Sequence, residues 1–189
     1  MGIDDIYNTY AVYDSNTNSY PNVSEFLNTF RKCIKTVESL PYNKQIKIIY
    51  TNYSGNNTIN NSSQLSDTGS PFSPYTYYLL NDGSSISFKI NSGMISFVID
   101  TNGPYKKPNR YGYDLFMFVV KDSSNKLEPM KQIKLYTEEE LEGNSISYLK
   151  GWPCSERSKQ EYNGTGCAYY AMINKNPDDP TKGYWESLK

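Results

Sequence analysis

Two short apolar runs, Met94–Ile99 and Leu115–Val120, flank a loop dense in Asn, Gly and Pro, and this pairing constrains the chain more than any other feature. Runs of β-branched and aromatic residues bounded by such clusters are strand signals. The loop between them, about a dozen residues, is too long for a tight hairpin. Yet Gly103, Pro104, Pro108 and Gly112 leave it little conformational freedom. Asp100 and Asp114 stand at its two mouths, where a carboxylate can accept hydrogen bonds from loop N–H groups. The pattern predicts two antiparallel strands joined by a stiff loop that its own side chains staple.

Further strands precede this unit. Tyr75–Leu80 and Ile86–Ile90 have strand character, and Asn81-Asp82-Gly83-Ser84 and Asn91-Ser92-Gly93 are hairpin-grade turns. Ser85, Ser87 and Lys89 alternate with Ile86, Phe88 and Ile90, which predicts a sheet with one solvated face. Upstream, Ser24 is a helix N-cap candidate and Glu25 suits the first turn. Phe26, Leu27, Phe30, Cys33, Ile34, Val37 and Leu40 follow at helical spacing until Pro41. A helix over Ser24–Leu40 is therefore expected, covering the apolar face of the sheet. The fold class is α+β: an amphipathic N-terminal helix on an antiparallel sheet of about four strands.

The remaining segments are weaker. Ile46–Tyr50 has strand character, whereas Thr51–Pro74 is rich in Asn, Ser, Thr and Gly and is expected to be a mobile excursion. Thr137-Glu138-Glu139-Glu140 has a capping-box pattern. From Gly143 to Lys189 an irregular C-terminal region is expected, with one short helix near Gly166–Asn174. At 189 residues, the whole of 1–189 is expected to form one domain.

Composition removes several functions. The chain has no histidine, which excludes Ser-His-Asp and Cys-His catalysis and every His-containing metal motif. No phosphate-cradling loop, dinucleotide fingerprint or nucleophile elbow is present. Glu138/Glu139/Glu140 and Asp178/Asp179 read as solvated acids rather than a converging pair. No enzyme is expected. A net charge of −1 offers no basic stripe to neutralise phosphates, so nucleic acid is not an expected partner. No run approaches the ~18–20 apolar residues that span a bilayer.

Three binding or structural features stand out beyond that. Cys154 and Cys167 bracket a polar loop, and a disulfide there would fasten the C-terminal region. Cys33, on the apolar stripe, reads as a buried thiol, although pairing with either other cysteine, or three reduced thiols, stays open. Asp100-x-Asn102-Gly103 has the first beats of a calcium loop to which Asp114 could add a ligand, but the expected role is turn-capping, with no cofactor. Tyr105, Tyr111 and Tyr113 surround the loop and could stack on sugars, with half-buried packing the plainer reading.

Three blocks carry a resemblance. Ile99-Asp100-Thr101-Asn102-Gly103, Lys107-Pro108-Asn109, Gly112-Tyr113-Asp114 and Phe116-Met117-Phe118 resemble the Asp-x-Asn-Gly…Pro-Asn…Gly-x-Asp-x-Phe-x-Phe signature of bacterial type IV pilin-like and pseudopilin globular domains. Tyr78–Phe88 resembles the strand–turn–strand before it, and Gly164–Asn174 resembles the C-terminal Gly-x-Gly-Cys-x-Ala element. Together the blocks cover roughly half of the chain. The resemblance implies a structural subunit of an extracellular filament or pseudopilus, with other pilin or pseudopilin subunits as partners. It also implies a C-terminal disulfide-bounded loop and a membrane-anchoring apolar N-terminal helix behind a processed leader. Met1-Gly2-Ile3-Asp4 has neither, and the expectation is that the anchor was removed ahead of Met1. The alternatives are a soluble protein that shares only the globular fold, and an extracellular, carbohydrate-directed binding module. Calcium near the C-terminus occurs in that family, and Asp178-Asp179 matches such a site poorly.

Overall fold

The computed structural model describes residues 28, 30, 32–34, 36–40, 49–55, 58–60, 76–91, 94–121, 126–132, 137, 153–160 and 162–188. Its centre is a six-stranded antiparallel sheet. Three strands in chain order are β1 (Thr36–Leu40), β2 (Ile49–Thr51) and β3 (Thr58–Asn60). They are followed by β4 (Thr76–Leu80), β5 (Ser85–Asn91) and β6 (Met94–Asp100), then by β7 (Leu115–Lys121) and β8 (Leu127–Pro129). The large sheet has the order β1-β4-β5-β6-β7-β8, while β2 and β3 pair by themselves. The meander β4 to β7 agrees closely with the four strands expected from sequence, because each carries its own apolar run and Gly- or Asn-bearing turn.

Thr36–Leu40 corrects the expected helix. Asn28, Phe30, Lys32 and Cys33 are helical, and Ile34 N–H donates to the Phe30 carbonyl at 3.2 Å. By Thr36 the chain has become β1, paired antiparallel with β4 through an irregular register between Thr36 and Glu38. Val37 and Leu40 keep helical spacing to Phe30 and Cys33, but the open edge of β4 takes this segment as a strand. Pairing with a neighbouring strand overrides a weak local preference. The other positions of the expected helix lie outside the described residues, as does the capping-box segment beyond Thr137.

Cross-strand partners share a face of a sheet. Tyr77, Ser87, Val98 and Met117 form one row and Tyr78, Ile86, Ile99 and Phe116 the adjacent row on the opposite face. The serine-bearing face is not the solvated one. Ser85, Ser87 and Ser96 are 1%, 1% and 2% exposed, and Tyr50, Tyr111 and Met130 pack over Tyr77, Val98, Met117 and Val119 above them. Small side chains on the strands leave room for tyrosine rings, with Tyr50 stacked on Tyr77 at 6.1 Å and edge-on to Tyr111 at 6.4 Å. Each such ring removes roughly 150–250 Å² from water, so tyrosine replaces aliphatic bulk in this core. On the opposite face Phe30 packs against Tyr78 and Phe97 at 6.0 and 5.9 Å. Further along that face, Phe116 and Phe118 meet the C-terminal segment.

That segment is ordered by hydrogen bonds rather than by long elements. A 3-10 turn at Thr165–Cys167 runs into α1 (Ala168–Ile173), and α2 (Tyr184–Ser187) closes the chain. Asn174, in the left-handed conformation (φ 49°), ends α1. The region expected to be irregular therefore has short helices, of which α2 was not expected. The start of the expected mobile excursion is also fixed: Asn52 and Tyr53 are buried, and β3 pairs with β2. Residues 61–74 lie outside the described ones. Among the described residues, no helix is long and apolar enough to cross a membrane.

Candidate functional site

The connection from Asp100 to Asp114 is held from inside by its two carboxylates. Asp100 Oδ1 accepts from the backbone N–H groups of Asn102 and Gly103 at 3.2 and 2.8 Å. Asp114 Oδ2 accepts from Asn109 N–H at 2.8 Å and from the Asn102 side-chain amide at 3.2 Å. Its Oδ1 accepts from Arg110 N–H at 2.6 Å. The Asn109 amide donates to the Pro104 carbonyl at 3.0 Å, and Thr101 N–H to the Asp114 carbonyl at 2.9 Å. Short polar side chains bond their own backbone this way when the chain cannot enter a sheet ladder. Gly103 and Gly112 have φ of 86° and 81°, and the Lys107–Pro108 peptide is cis. Asp100, Asn102, Gly103, Pro108, Asn109, Gly112 and Asp114 thus all lie in one carboxylate-stapled loop.

Two distant parts of the described chain dock on that loop. Residues of β2 reach it through Thr51 N–H to the Asn109 carbonyl and Tyr111 N–H to the Thr51 carbonyl, both 3.0 Å. Arg110 turns its guanidinium to the Tyr53 carbonyl, with Nε at 2.6 Å and Nη2 also donating. The same group lies 3.9 Å from the Tyr113 ring centre, a favourable cation–π distance. Tyr184 Oη donates to the Gly112 carbonyl from α2. Among the described residues the loop is the place where the sheet, the β2 hairpin and the C-terminal segment meet.

Cys154 and Cys167 form a disulfide, with Cα atoms 5.0 Å apart. Both are fully buried beside Tyr53, Phe116 and Tyr184. The loop they close is organised by Asn163, which is 0% exposed. Its Oδ1 accepts from Ser155 N–H at 3.2 Å, and its amide donates to the carbonyls of Ser155 and Ser158 at 2.8 and 3.0 Å. Asp178, read from sequence as a solvated acid, accepts from Ser155 Oγ at 2.8 Å and from Glu156 N–H at 2.8 Å, tying the two ends of the segment together. Arg110, Asn163 and Tyr184 were not singled out from sequence, and Asp178 was read only as a solvated acid. The turn-forming pairs Asn163-Gly164 and Asn176-Pro177 were the available signal for two of these anchor points.

The cysteine reading needs correction, whereas the tyrosines follow the plainer, packed reading. Cys33 is an exposed free thiol rather than a buried one, because the helical turn that carries it gives way to β1. The three loop tyrosines do not form an open platform. Tyr111 is 2% exposed in the core, Tyr113 lies under Arg110, and Tyr105 is the one that is largely exposed, at 65%.

Electrostatically, the loop is unusual at Asp100. Burial raises its carboxyl to about 6, the Asp114 charge adds to the rise, and the N–H bonds from Gly103 and Asn102 oppose it. Among the described residues no three His, Cys, Asp or Glu side chains gather to hold a metal. An open cleft of about 570 Å³ lies elsewhere, between Arg157, Asp178, Asp179, Lys182 and Glu186. Its charges already pair, Lys182 with Asp179 at 2.9 Å and Arg157 with Asp178 at 3.5 Å. Comparison with family models, with curated proteins and with solved structures finds no match to this chain.

Proposed function

We propose that this chain is a non-enzymatic structural subunit, the globular part of an extracellular type IV pilus-like filament or pseudopilus. The observation that carries the reading is the use made of the signature residues. Asp100, Asn102, Gly103, Asn109, Gly112 and Asp114 all serve to shape one loop, and β2, the disulfide segment and α2 dock on it. A loop so occupied suits a rigid module that repeats in an assembly better than a site that receives and releases substrate. The buried disulfide supports placement outside the reducing cytoplasm. The partners are then other pilin or pseudopilin subunits, and the inner membrane before assembly, through an apolar helix upstream of Met1. The carbohydrate-binding alternative has lost its platform, since two of its three rings are occupied within the fold.

The test is an antibody raised against the chain and applied to filaments sheared from the surface of the producing bacterium. Labelling at regular intervals along a filament, or co-purification with a pseudopilus, is the expected result. Recovery as a soluble monomer that is absent from every sheared or membrane fraction would overturn the proposal and favour the binding module.

A further inference from the structure

Tyr105, Lys106, Lys107 and Pro108 are exposed in succession and form the outer tip of the Asp100–Asp114 loop, with Tyr105 at 65% exposure. The tip is nevertheless held by its own backbone. Lys106 N–H donates to the Gly103 carbonyl at 3.0 Å, and the Asn109 amide closes the base of the tip on the Pro104 carbonyl, also at 3.0 Å. Among the described residues, neither lysine has an ion-pair partner. The loop thus presents an aromatic ring and two uncompensated cations, and it buries none of them. A ring carried on a preorganised backbone loses little entropy when a partner covers it, which suits an interface anchor.

The C-terminal segment presents the opposite character. Four carboxylates border its open cleft. Asp178 and Asp179 pair with Arg157 and Lys182, which leaves Glu156 and Glu186 over, both of them exposed. Glu186 follows Trp185 in α2, and the Trp185 indole is 49% exposed. That ring is fixed in place, because Nε1 donates to the Ala171 carbonyl at 3.1 Å and the ring meets Phe116 edge-on at 5.7 Å. Met172, next to Ala171 in α1, is 66% exposed. Two spare acids beside exposed apolar surface match two spare lysines beside an exposed ring. Both halves of the match belong to one sequence, so the occupant they fit is a second copy of the chain.

We infer that the Tyr105–Pro108 tip of one copy docks against the C-terminal cleft of the next. Tyr105 covers the apolar surface of Trp185 and Met172, while Lys106 and Lys107 lie opposite Glu156 and Glu186. The cleft, at about 570 Å³, is roomy enough for such side chains. Tip and cleft are different patches, so the contact is heterologous, and repeating it can build an open array. The inference rests on the filament reading and supplies it with a contact between globular parts. Exposed charge pairs contribute modestly, so a single contact is weak. Copies already held side by side in an assembly would meet at a raised effective concentration.

The experiment follows the full chain by sedimentation equilibrium, at protein concentrations from about 10⁻⁵ to about 10⁻³ M. Expected is reversible association with a dissociation constant of roughly 10⁻⁴ M in about 0.01 M salt. In about 1 M salt, where the screening length falls from ~30 to ~3 Å, it should weaken at least about tenfold. Reversing the tip (Lys106→Glu with Lys107→Glu) or the cleft (Glu156→Lys with Glu186→Lys) should weaken it as much. Mixing the two reversed proteins should restore it, because each supplies the charge that the other has lost. Lys32→Glu, in the helical turn before β1, should leave association unchanged. All these side chains are exposed, so the variants should keep the wild-type circular dichroism. A chain that stays monomeric throughout, or reversed variants that do not recover on mixing, would overturn the inference and leave the filament reading to the antibody labelling. Association through these residues in a protein never found on filaments would keep the contact and sink the filament reading instead.

Discussion

Gly103 and Gly83 allow a controlled comparison at the scale of one residue. Both have positive φ, 86° and 87°. A Cβ on Gly83 meets nothing within 4 Å, whereas one on Gly103 would lie 2.1 Å from the Gly83 carbonyl oxygen. Gly83→Ala therefore carries only the conformational penalty, about 1–2 kcal/mol. Gly103→Ala adds the displacement of a backbone group in the β4–β5 turn, raising the total to about 2–4 kcal/mol. Denaturant unfolding of the two variants measures the difference, and equal costs would mean that the loop does not press on that turn. The Asn and Gly positions of this loop were legible because the need for left-handed backbone and side-chain acceptors is local. Arg110 was not legible. Its role depends on Tyr53, which lies 57 residues away in sequence.

For elements, β5 is the informative case. Its period-2 pattern placed Ser85 and Ser87 on one face, but which face meets water is decided by what lies over it. Tyr50, Tyr111 and Met130 come from other parts of the chain and cover the serines. Ser87→Lys distinguishes the two situations. On a solvated face it would be nearly neutral, but at 1% exposure between Tyr77 and Val98 it buries an unpaired ammonium. The expected cost is at least about 3 kcal/mol, read from the denaturation midpoint. A change within about 0.5 kcal/mol would return that face to solvent. The end of the expected helix failed for a related reason. Helical spacing at Val37 and Leu40 is a property of the segment, while the free edge of β4 that recruits it is a property of the sheet.

Across the whole molecule, the interior is built on tyrosine. Tyr50, Tyr77, Tyr111 and Tyr184 are 1%, 3%, 2% and 1% exposed. Burial holds each phenol well above its usual range, and nearby tyrosines or Asp100 add to the effect. Because the folded value exceeds the unfolded one, the native state keeps these phenols neutral, and stability falls once pH passes the ordinary value of about 10. Phenolate absorbance during alkaline titration should rise in two phases. Exposed tyrosines such as Tyr105 ionise first, and the buried set follows together with loss of the near-ultraviolet circular dichroism signal. A single phase complete before any unfolding would contradict a tyrosine core.

The sequence by itself determined the β4–β7 meander, the stapled loop and its Asp, Asn and Gly positions, since each rests on periodicity or on turn chemistry within a few residues. It placed Cys154 and Cys167 where a bridge was one of several options. Only the tertiary structure decided that this bridge forms, that Cys33 is exposed and that β1 and β8 extend the sheet to six strands. The same holds for the burial of the serine face and for the docking of β2 and α2 on the Asp100–Asp114 loop. Local chemistry specifies how a segment turns and alternates; the segment that covers it comes from a distant part of the chain, and only packing brings the two together.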